Sequence, residues 1–460
     1  MDLKQTQVNS EPQVLDPDEI EELHLDAEER KARERLLAWF RLLWTGRQFG
    51  LDLSKFSSKN LRLEPAGRLP RAIGRRLRPS SVTQKLKIFH CIPSLGGGGA
   101  ERQLSYLSTA LTYRGLDVHV AYHVGGPNLG RIEASGVTLH QLNSRGHYDP
   151  RLLWQLIRTI RRVRPDLIQT WLTQMDIVGG IAAMLTGTPF ILSERAAAPA
   201  YGRNWKDRIR MWIGERARVI VANSENGRNY WTPRKEPGLV KVIPNAVPVE
   251  SIKQVSALRC ETWTIGPGTE VVLVAGRFSP EKNLKNLLEA IGSVLSERTN
   301  AVALLFGQGP LLTELTEIVE RLRLQGRVRI LGYTTELGSW MQRANVFVSV
   351  SLYEGSPNTV TEAATLKCPL VLSDIPGHRE LFDDDAVFFV SPDSSSDIAR
   401  GISESLRGSE KSRCKAEAAC ARLSRFTVDS TTSQYVSLYE TILEGSSVIS
   451  IAGEKHVGKQ

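Results

Sequence analysis

Two glutamates, Glu354 and Glu362, stand eight positions apart around a segment that contains glycine, serine and proline. Their carboxylates can accept hydrogen bonds from the hydroxyl groups of a sugar or a ribose. A helix that begins between them would direct its free N–H groups at an anion. The spacing therefore suits a nucleotide-sugar, with its phosphates at the helix start and its hydroxyl-rich rings against the two acids. The alternative is an ordinary helix whose first turn carries glutamate for dipole and capping reasons.

The local pattern indicates which elements hold this acidic segment. The apolar run Val346–Val350 predicts a buried strand immediately before it. Ser356 is a favourable N-cap residue, and Pro357 suits the first position of a helix. The predicted order is strand, acidic loop and helix, with the backbone N–H groups of Asn358 and Thr359 available to a phosphate.

A basic loop follows another predicted strand, Val271–Ala275. Arg277 and Lys282 both lie in this loop, and an amphipathic helix from Leu284 comes after it. Open α/β sheets bind ligands at the carboxyl ends of their strands. A planar guanidinium and an ammonium there would form a clamp for a diphosphate.

A run of glycines, Gly96–Gly99, lies between the predicted strand Lys85–Ile92 and a helix from Ala100. Glycines in this position let a substrate approach the backbone closely. The chain has no GxGxxG followed by an acidic residue at the end of the next strand, and no GxxxxGK[ST] loop. A dinucleotide site and a P-loop are therefore poorly supported.

Together these segments resemble glycosyltransferase family 4, the retaining enzymes with the two-domain GT-B fold. The resemblance covers roughly residues 85–445. In the family's order, the matching residues are Gly98–Arg102, Val221–Ser224, Ile243–Val247, Gly276–Phe278 with Lys282 and Asn283, Gly307–Pro310, and Glu354–Glu362.

The resemblance implies transfer of a sugar from a nucleotide diphosphate donor to a hydroxyl group, with retained anomeric configuration. It implies that Glu354 lies near the donor sugar and Glu362 on the ribose hydroxyls, while Arg277 and Lys282 compensate the charge of the leaving diphosphate. The catalytic set is then Glu354, Arg277 and Lys282. The predicted donor-binding residues are Gly98, Gly99, Asn245, Gly355, Ser356, Asn358, Thr359 and Glu362, with Gly307–Pro310 shaping the pocket and Tyr333 a weaker candidate for the nucleobase edge.

The first half departs from the family pattern at two strand ends. Many relatives carry histidines there, close to the transferred sugar, but this chain reads Gln169–Leu172 and Ser193–Ala196. Trp171 is a candidate to stack on a sugar ring, and Glu194 or Arg195 is a candidate for the polar role. The alternative is that these side chains are structural and the backbone performs the role.

The predicted fold class is α/β: a GT-B fold with two Rossmann-like parallel-sheet domains facing each other across a cleft. The length of 460 residues and the 41% hydrophobic content are enough for two full cores. The expected organisation is an unassigned helical and linker extension over 1–84, an acceptor domain over 85–245, a donor domain over 246–430, and a returning helix with a frayed tail over 431–460. A helix from Ala27 to Thr45 is predicted inside the extension.

We expect neither a metal nor a cofactor. The one acidic run that resembles a metal motif, Asp383–Asp385, is interpreted as a solvated turn, and the eight histidines lack ligand spacing. His378 is expected in a loop near the donor pocket. The five scattered cysteines fit a reducing compartment.

The net charge of +9 arises partly from two arginine-rich helical segments in the first half. Trp154 lies in the first segment, Arg151–Arg164, and Trp205 and Trp212 lie in the second, Arg203–Arg218. Such helices suit an anionic membrane surface, and a polyprenyl-linked or other glycan acceptor would match it. Solvated helix faces are the equally weighted alternative. No nucleic-acid-binding module is visible, and no segment is long enough to span a bilayer. The expected location is cytoplasmic, with peripheral attachment to the inner face of the cell membrane.

Two other functions remain open from the sequence. A catalytically silent GT-B scaffold would explain the missing histidines, and a sugar-nucleotide epimerase would use the same donor site. The first would tolerate replacement of Glu354 or Lys282, and the second would release a free sugar without an acceptor.

Overall fold

The computed structural model describes residues 85–454 except 145, 147–148, 197–204, 255–264, 267 and 409, with side chains described through residue 444. The predicted extension 1–84, its helix, and residues 455–460 lie outside this part of the chain. The described residues form two parallel sheets, each covered by helices on both faces.

The first sheet has seven strands in the order β3-β2-β1-β4-β5-β6-β7, and every neighbouring pair is parallel. Its strands are β1 Lys87–Ser94, β2 Asp117–Val124, β3 Thr138–Gln141, β4 Leu167–Trp171, β5 Phe190–Glu194, β6 Val219–Ala222 and β7 Val240–Val242. Strand β3 was not predicted, since its four residues are half exposed at the sheet edge and carry threonine, histidine and glutamine. Parallel connections between the other strands run through helices, as βαβ units require.

The helices in this half of the chain are α1 Gly99–Tyr113, α2 Leu129–Ala134, α3 Pro150–Val163, α4 Leu172–Thr186, α5 Trp205–Arg216, α6 Glu225–Trp231 and α7 Val249–Lys253. Helix α1 buries Leu104, Leu107 and Leu111 against the sheet, which confirms the face predicted from their spacing.

The second sheet has six parallel strands in the order β10-β9-β8-β11-β12-β13. Its strands are β8 Glu270–Ala275, β9 Ala301–Phe306, β10 Val328–Leu331, β11 Val346–Ser349, β12 Leu370–Ser373 and β13 Phe388–Val390. The helices that follow are α8 Leu284–Glu297, α9 Leu312–Arg321, α10 Leu337–Arg343, α11 Asn358–Thr365, α12 Pro376–Arg379, α13 Ser395–Leu406, α14 Glu410–Arg422 and α15 Val428–Glu454. Both sheets therefore reverse their strand order at one point, between β1 and β4 in the first and between β8 and β11 in the second.

Helix α15 follows the second sheet in sequence but packs on the first. Tyr435, Leu438 and Ile442 are buried in the apolar cluster that covers β1, β2 and α1. The hydroxyl of Tyr439 donates a hydrogen bond to Gln169 Oε1 at 2.5 Å. The helix continues to Glu454.

We call the first sheet with its helices the first half and the second sheet with its helices the second half. The chain passes between them twice, after β7 and before α15, and the two crossing segments are hydrogen-bonded to each other. The amide of Val247 donates to the carbonyl of Phe426 at 2.7 Å. Asn245 and its neighbours therefore lie at the junction between the two sheets.

Candidate active site

The loops after β8 and β11 flank the strand-order reversal of the second sheet, where doubly wound sheets bind ligands. Lys282 comes from the first loop, Glu354 from the second, and Lys282 Nζ lies 2.5 Å from Glu354 Oε1. Ser351 Oγ donates to the same oxygen at 2.7 Å. The two residues that the sequence placed in separate motifs are therefore one ion pair.

The environment of Glu354 keeps it ionised. Burial raises the pKa of its carboxyl group, but the Lys282 ammonium and the hydrogen bonds from Lys282 and Ser351 outweigh burial, so the pKa lies below its usual value. Gly377 makes room for this loop, because a Cβ atom there would lie 2.4 Å from the carbonyl oxygen of Glu354.

His378, expected in a loop, instead belongs to the short helix α12 and is fully buried. Its Nδ1 lies 2.8 Å from the carbonyl oxygen of Ser373. Because that oxygen can only accept, Nδ1 carries the proton when the ring is neutral. Burial lowers the pKa of His378, with Glu354 acting in the opposite direction.

Helix α11 begins at Asn358, one residue later than predicted. Pro357 is the N-cap with an extended ψ of 96°, and no side chain caps the helix. The carbonyl of Ser356 accepts a hydrogen bond from Asn245 Nδ2 at 3.2 Å, which fixes the loop before the helix. The N–H groups of the first turn, including that of Thr359, are those that a helix leaves without an intrahelical acceptor.

The first half meets this helix start through the side chain of Asn358. Its Oδ1 accepts from Asn245 Nδ2 at 2.9 Å and from Gln103 Nε2 at 3.3 Å. A Cβ atom on Gly99 would lie 2.6 Å from Asn358 Nδ2, so only glycine fits at that position without a shift. In the loop before α11, a Cβ atom on Gly355 would lie 3.1 Å from Asn223 Oδ1, so this loop also packs closely against the first half.

The glycine loop itself faces the second half. Gly97, Gly98 and Gly99 are exposed, and a Cβ on Gly97 would lie 3.5 Å from the ring of Tyr333. Tyr333 is 62% exposed, so it is a surface aromatic beside the glycine loop.

Glu362 contacts a residue whose role the sequence did not reveal. Arg102 Nη1, from α1 in the first half, lies 2.7 Å from Glu362 Oε1. Burial raises the pKa of Glu362, while Arg102 acts to lower it. Sequence spacing cannot show this pair, because the two helices belong to different sheets.

Arg277 is exposed in the loop after β8. The amide of the next residue, Phe278, donates to the carbonyl of Gln308 at 2.9 Å, which joins this loop to Gly307–Pro310. The two predicted loops are therefore neighbours at the same end of the sheet.

Two of the three first-half candidates, Trp171 and Glu194, are buried within the first half. Trp171 is 1% exposed and its Nε1 donates to His90 Nδ1 at 3.2 Å, so its ring face is not open to a sugar. Glu194 is fully buried and accepts hydrogen bonds from Arg210 and Trp231, both at 2.9 Å. Each of these two side chains therefore holds the first sheet and its helices together.

Arg195 does reach the junction. Its guanidinium lies over the Trp171 ring, 4.3 Å from the centroid, and donates to Asn245 Oδ1 at 3.2 Å and to the Tyr435 hydroxyl. It therefore connects α15 to the residue that binds Ser356 and Asn358.

The acidic run Asp383–Asp385 is engaged in ion pairs, with Asp383 paired to Arg422 and Asp384 to Arg379. Within the described part of the chain, no group of three histidine, cysteine, aspartate or glutamate side chains has a geometry that could hold a metal ion.

The two arginine-rich segments differ in exposure. Trp154 on α3 is 60% exposed beside Arg158, whereas Trp205 and Trp212 on α5 are both 7% exposed in the core. The prediction of a tryptophan-bearing surface is therefore wrong for α5. Across the residues that the model describes, none of the helices combines the length and apolar character needed to cross a bilayer.

Two family models match the chain in the order of its two sheets. The glycosyltransferase family 4 model matches residues 97–251, and the model for glycosyl transferases group 1 matches residues 261–421. Together they include Asn245, Arg277, Lys282 and the segment from Glu354 to Glu362.

This chain belongs to glycosyltransferase family 4.

Curated relatives of this family 4 glycosyltransferase are distant. An uncharacterised glycosyltransferase of Methanocaldococcus jannaschii is 25% identical over 50% of the chain and 60% of its own length. The N-acetylgalactosamine-N,N'-diacetylbacillosaminyl-diphospho-undecaprenol 4-alpha-N-acetylgalactosaminyltransferase of Campylobacter jejuni is 24% identical over 73% of the chain and 95% of its own length. The UDP-Gal:alpha-D-GlcNAc-diphosphoundecaprenol alpha-1,3-galactosyltransferase of Escherichia coli is 24% identical over 50% of the chain and 63% of its own length. The chain thus spans less than two thirds of the first and third of these relatives.

Solved structures agree on the fold of the family 4 glycosyltransferase. Anabaena HepE in complex with UDP and glucose matches with a TM-score of 0.69 at 21% identity, covering 77% of this chain and all of HepE. Sucrose-phosphate synthase of Thermosynechococcus elongatus matches with a TM-score of 0.66 at 17% identity, covering 78% of this chain and all of the synthase. Both pairs share the GT-B arrangement of two Rossmann-like sheets.

Proposed function

We propose that this family 4 glycosyltransferase moves a sugar from a nucleotide diphosphate-sugar to a hydroxyl of a lipid-linked or polysaccharide acceptor, with retained configuration. The observation that carries the proposal is the Lys282–Glu354 ion pair at the strand-order reversal of the second sheet, beside the uncapped start of α11. A diphosphate, a sugar and a ribose would each have a chemically suitable partner there.

The reaction separates charge, and these residues would stabilise the two charges that form. As the anomeric bond breaks, the diphosphate becomes more negative and the sugar more positive. Lys282, Arg277 and the N–H groups of Asn358 and Thr359 would stabilise the diphosphate, and a single preorganised donor of this kind is worth ~3 kcal/mol. The ionised carboxylate of Glu354 would bind sugar hydroxyls or the positive anomeric centre. Protein cations would therefore compensate the negative charge of the leaving diphosphate. We propose for this reason that the reaction is independent of metal.

The acceptor proposal is supported by two relatives, whose names describe transferases that act on diphospho-undecaprenol-linked sugars. It is also supported by α3, which buries Leu152, Leu153, Leu156 and Ile160 and exposes Trp154 with its arginines. Each cation near an anionic bilayer contributes ~1 kcal/mol. We therefore propose peripheral attachment to the cytoplasmic face of the membrane through α3.

The test is an assay of the full chain with UDP-, GDP- and ADP-sugars and with short-chain polyprenyl diphosphate sugars in anionic vesicles. We expect one donor to be consumed with formation of an α-linked product from an α-linked donor, as read by NMR of the anomeric proton. Addition of EDTA should leave the rate unchanged. If no donor in the panel binds or is hydrolysed, the proposal is overturned.

A catalytically silent scaffold is the second candidate. It is favoured by Trp171 and Glu194, because both side chains bond within the first half instead of facing a substrate. A scaffold would keep its cellular phenotype when Glu354 is replaced by glutamine, whereas the enzyme would lose it.

A further inference from the structure

Arg102 and Glu362 join the two halves of the molecule directly. Arg102 lies on α1, next to the glycine loop, and Glu362 lies one turn inside α11. Their side chains are 26% and 15% exposed, and the bond from Nη1 to Oε1 is 2.7 Å. A shielded pair at this distance is stronger than an exposed surface pair.

Adjacent contacts show that this pair belongs to a built junction. Gln103 Nε2, one residue along α1, bonds the carbonyl of Ala246 at 2.9 Å, and the amide of Ala246 returns a bond to Gln103 Oε1 at 2.7 Å. Helix α1 is therefore anchored at the crossing between the halves, and its Arg102 is held at a fixed distance from α11.

The ion pair leaves acceptor capacity on the carboxylate. Arg102 occupies Oε1, and a carboxylate offers further lone pairs on Oε2. Burial disfavours the ionised form of Glu362 and raises its pKa, and the guanidinium offsets that effect only in part. Without Arg102, Glu362 would lose both its charge partner and the contact that fixes its rotamer.

We propose that Arg102 is a positioning residue that orients the Glu362 carboxylate from across the cleft, so that it accepts hydrogen bonds from the ribose hydroxyls of the donor. This inference rests on the proposed function, in which Glu362 binds the ribose. It assigns the ribose subsite to both halves, and it predicts that nucleotide selectivity depends on a residue of the first half.

The experiment compares nucleoside diphosphates with their 2′-deoxy counterparts by calorimetry on the full chain. UDP, GDP and ADP are tested first, and the tightest is paired with its 2′-deoxy form. A hydrogen bond to a charged group contributes enough to give the wild type about a tenfold preference for ribose. In R102M that preference should fall below about threefold, and R102K, which keeps a cation without the planar fork, should lie between. E362Q gives the reference for loss of the carboxylate.

Arg114, at the end of the same helix, provides the matched control, since it pairs with Asp429 on α15 away from the cleft. R114M should keep the full ribose preference. If folded R102M also keeps it, the inference is overturned while the proposed function stands. If R102M does not fold, R102K decides, and an unchanged preference there has the same meaning. If the wild type binds none of the nucleotides, the proposed function fails and the inference fails with it.

Discussion

Lys282 and Glu354 form an ion pair of 2.5 Å across the strand-order reversal of the second sheet. The pair joins the loop after β8 to the loop after β11, so the cation of one motif is in contact with the acid of the other. Because Glu354 is largely shielded, the Lys282 ammonium keeps the acid ionised, and in the proposed reaction the same charge would stabilise the leaving diphosphate.

Replacing Lys282 by methionine should reduce transfer by about 100-fold, as expected for loss of one preorganised charge donor. The rate is measured with saturating donor, so that kcat is separated from KM. K285M is the matched control, because Lys285 pairs with Glu314 on the surface of α8. Equal rates for K282M and the wild type would contradict the assigned role.

Replacing Arg195 by methionine should raise KM for the donor, by about tenfold, with a smaller change in kcat. Arg195 orients Asn245, and Asn245 holds Ser356 and Asn358 at the start of α11. Y435F removes one partner of Arg195 and should give a smaller effect of the same kind, since a single hydrogen bond contributes about 1 kcal/mol. A change confined to kcat would show that Arg195 does not act through donor binding.

Replacing Arg210 by methionine should lower the free energy of unfolding by about 3–5 kcal/mol, because it leaves two buried carboxylates without their cation. Arg210 bonds Asp176 Oδ2 at 2.7 Å and Glu194 Oε2 at 2.9 Å, and both acids are fully buried. Urea denaturation measures the change. R228M, which breaks the half-exposed pair with Glu225, should cost less than about 1 kcal/mol.

Acidification from pH 7 to 5 should destabilise the fold through His90, which is buried, and His140, which is half-buried. Burial lowers the pKa of His90 to about 3 and that of His140 to about 4, against 6.5 in the unfolded chain. The unfolded state therefore takes up protons below pH 6.5 that the folded state excludes, so stability falls with falling pH until the folded pKa is reached. The urea midpoint should decrease over this interval, and H140L should decrease less. A midpoint that is constant or rises on acidification would contradict the prediction.

Local pattern predicted most of what positions the site. Apolar runs identified β1, β8 and β11, and the glycine, basic and acidic loops follow these strands as expected. Parallel sheets make this possible, because the carboxyl ends of their strands meet at one edge.

The misses share one physical cause, which is that partners distant in sequence decide what a side chain does. Glu194 is buried because Arg210 and Trp231 satisfy it. The arginines near Trp212 in the sequence favour a surface position for it. Its indole instead packs into the core, and the Arg216 guanidinium lies over the ring, 3.8 Å from the centroid. The pairing of Arg102 with Glu362 could not be predicted from the motif, because Glu362 lies on a helix that packs on the other sheet.

Helix α15 places Tyr435 and Tyr439 in the apolar layer of a sheet whose last strand ends at Val242. During synthesis, that sheet would emerge from the ribosome with one side covered by α1 but still lacking α15, and would wait for the entire second sheet to be made. Its completion is therefore a late event, and removal of the segment from Val428 onward would expose the interior of the half that is translated first.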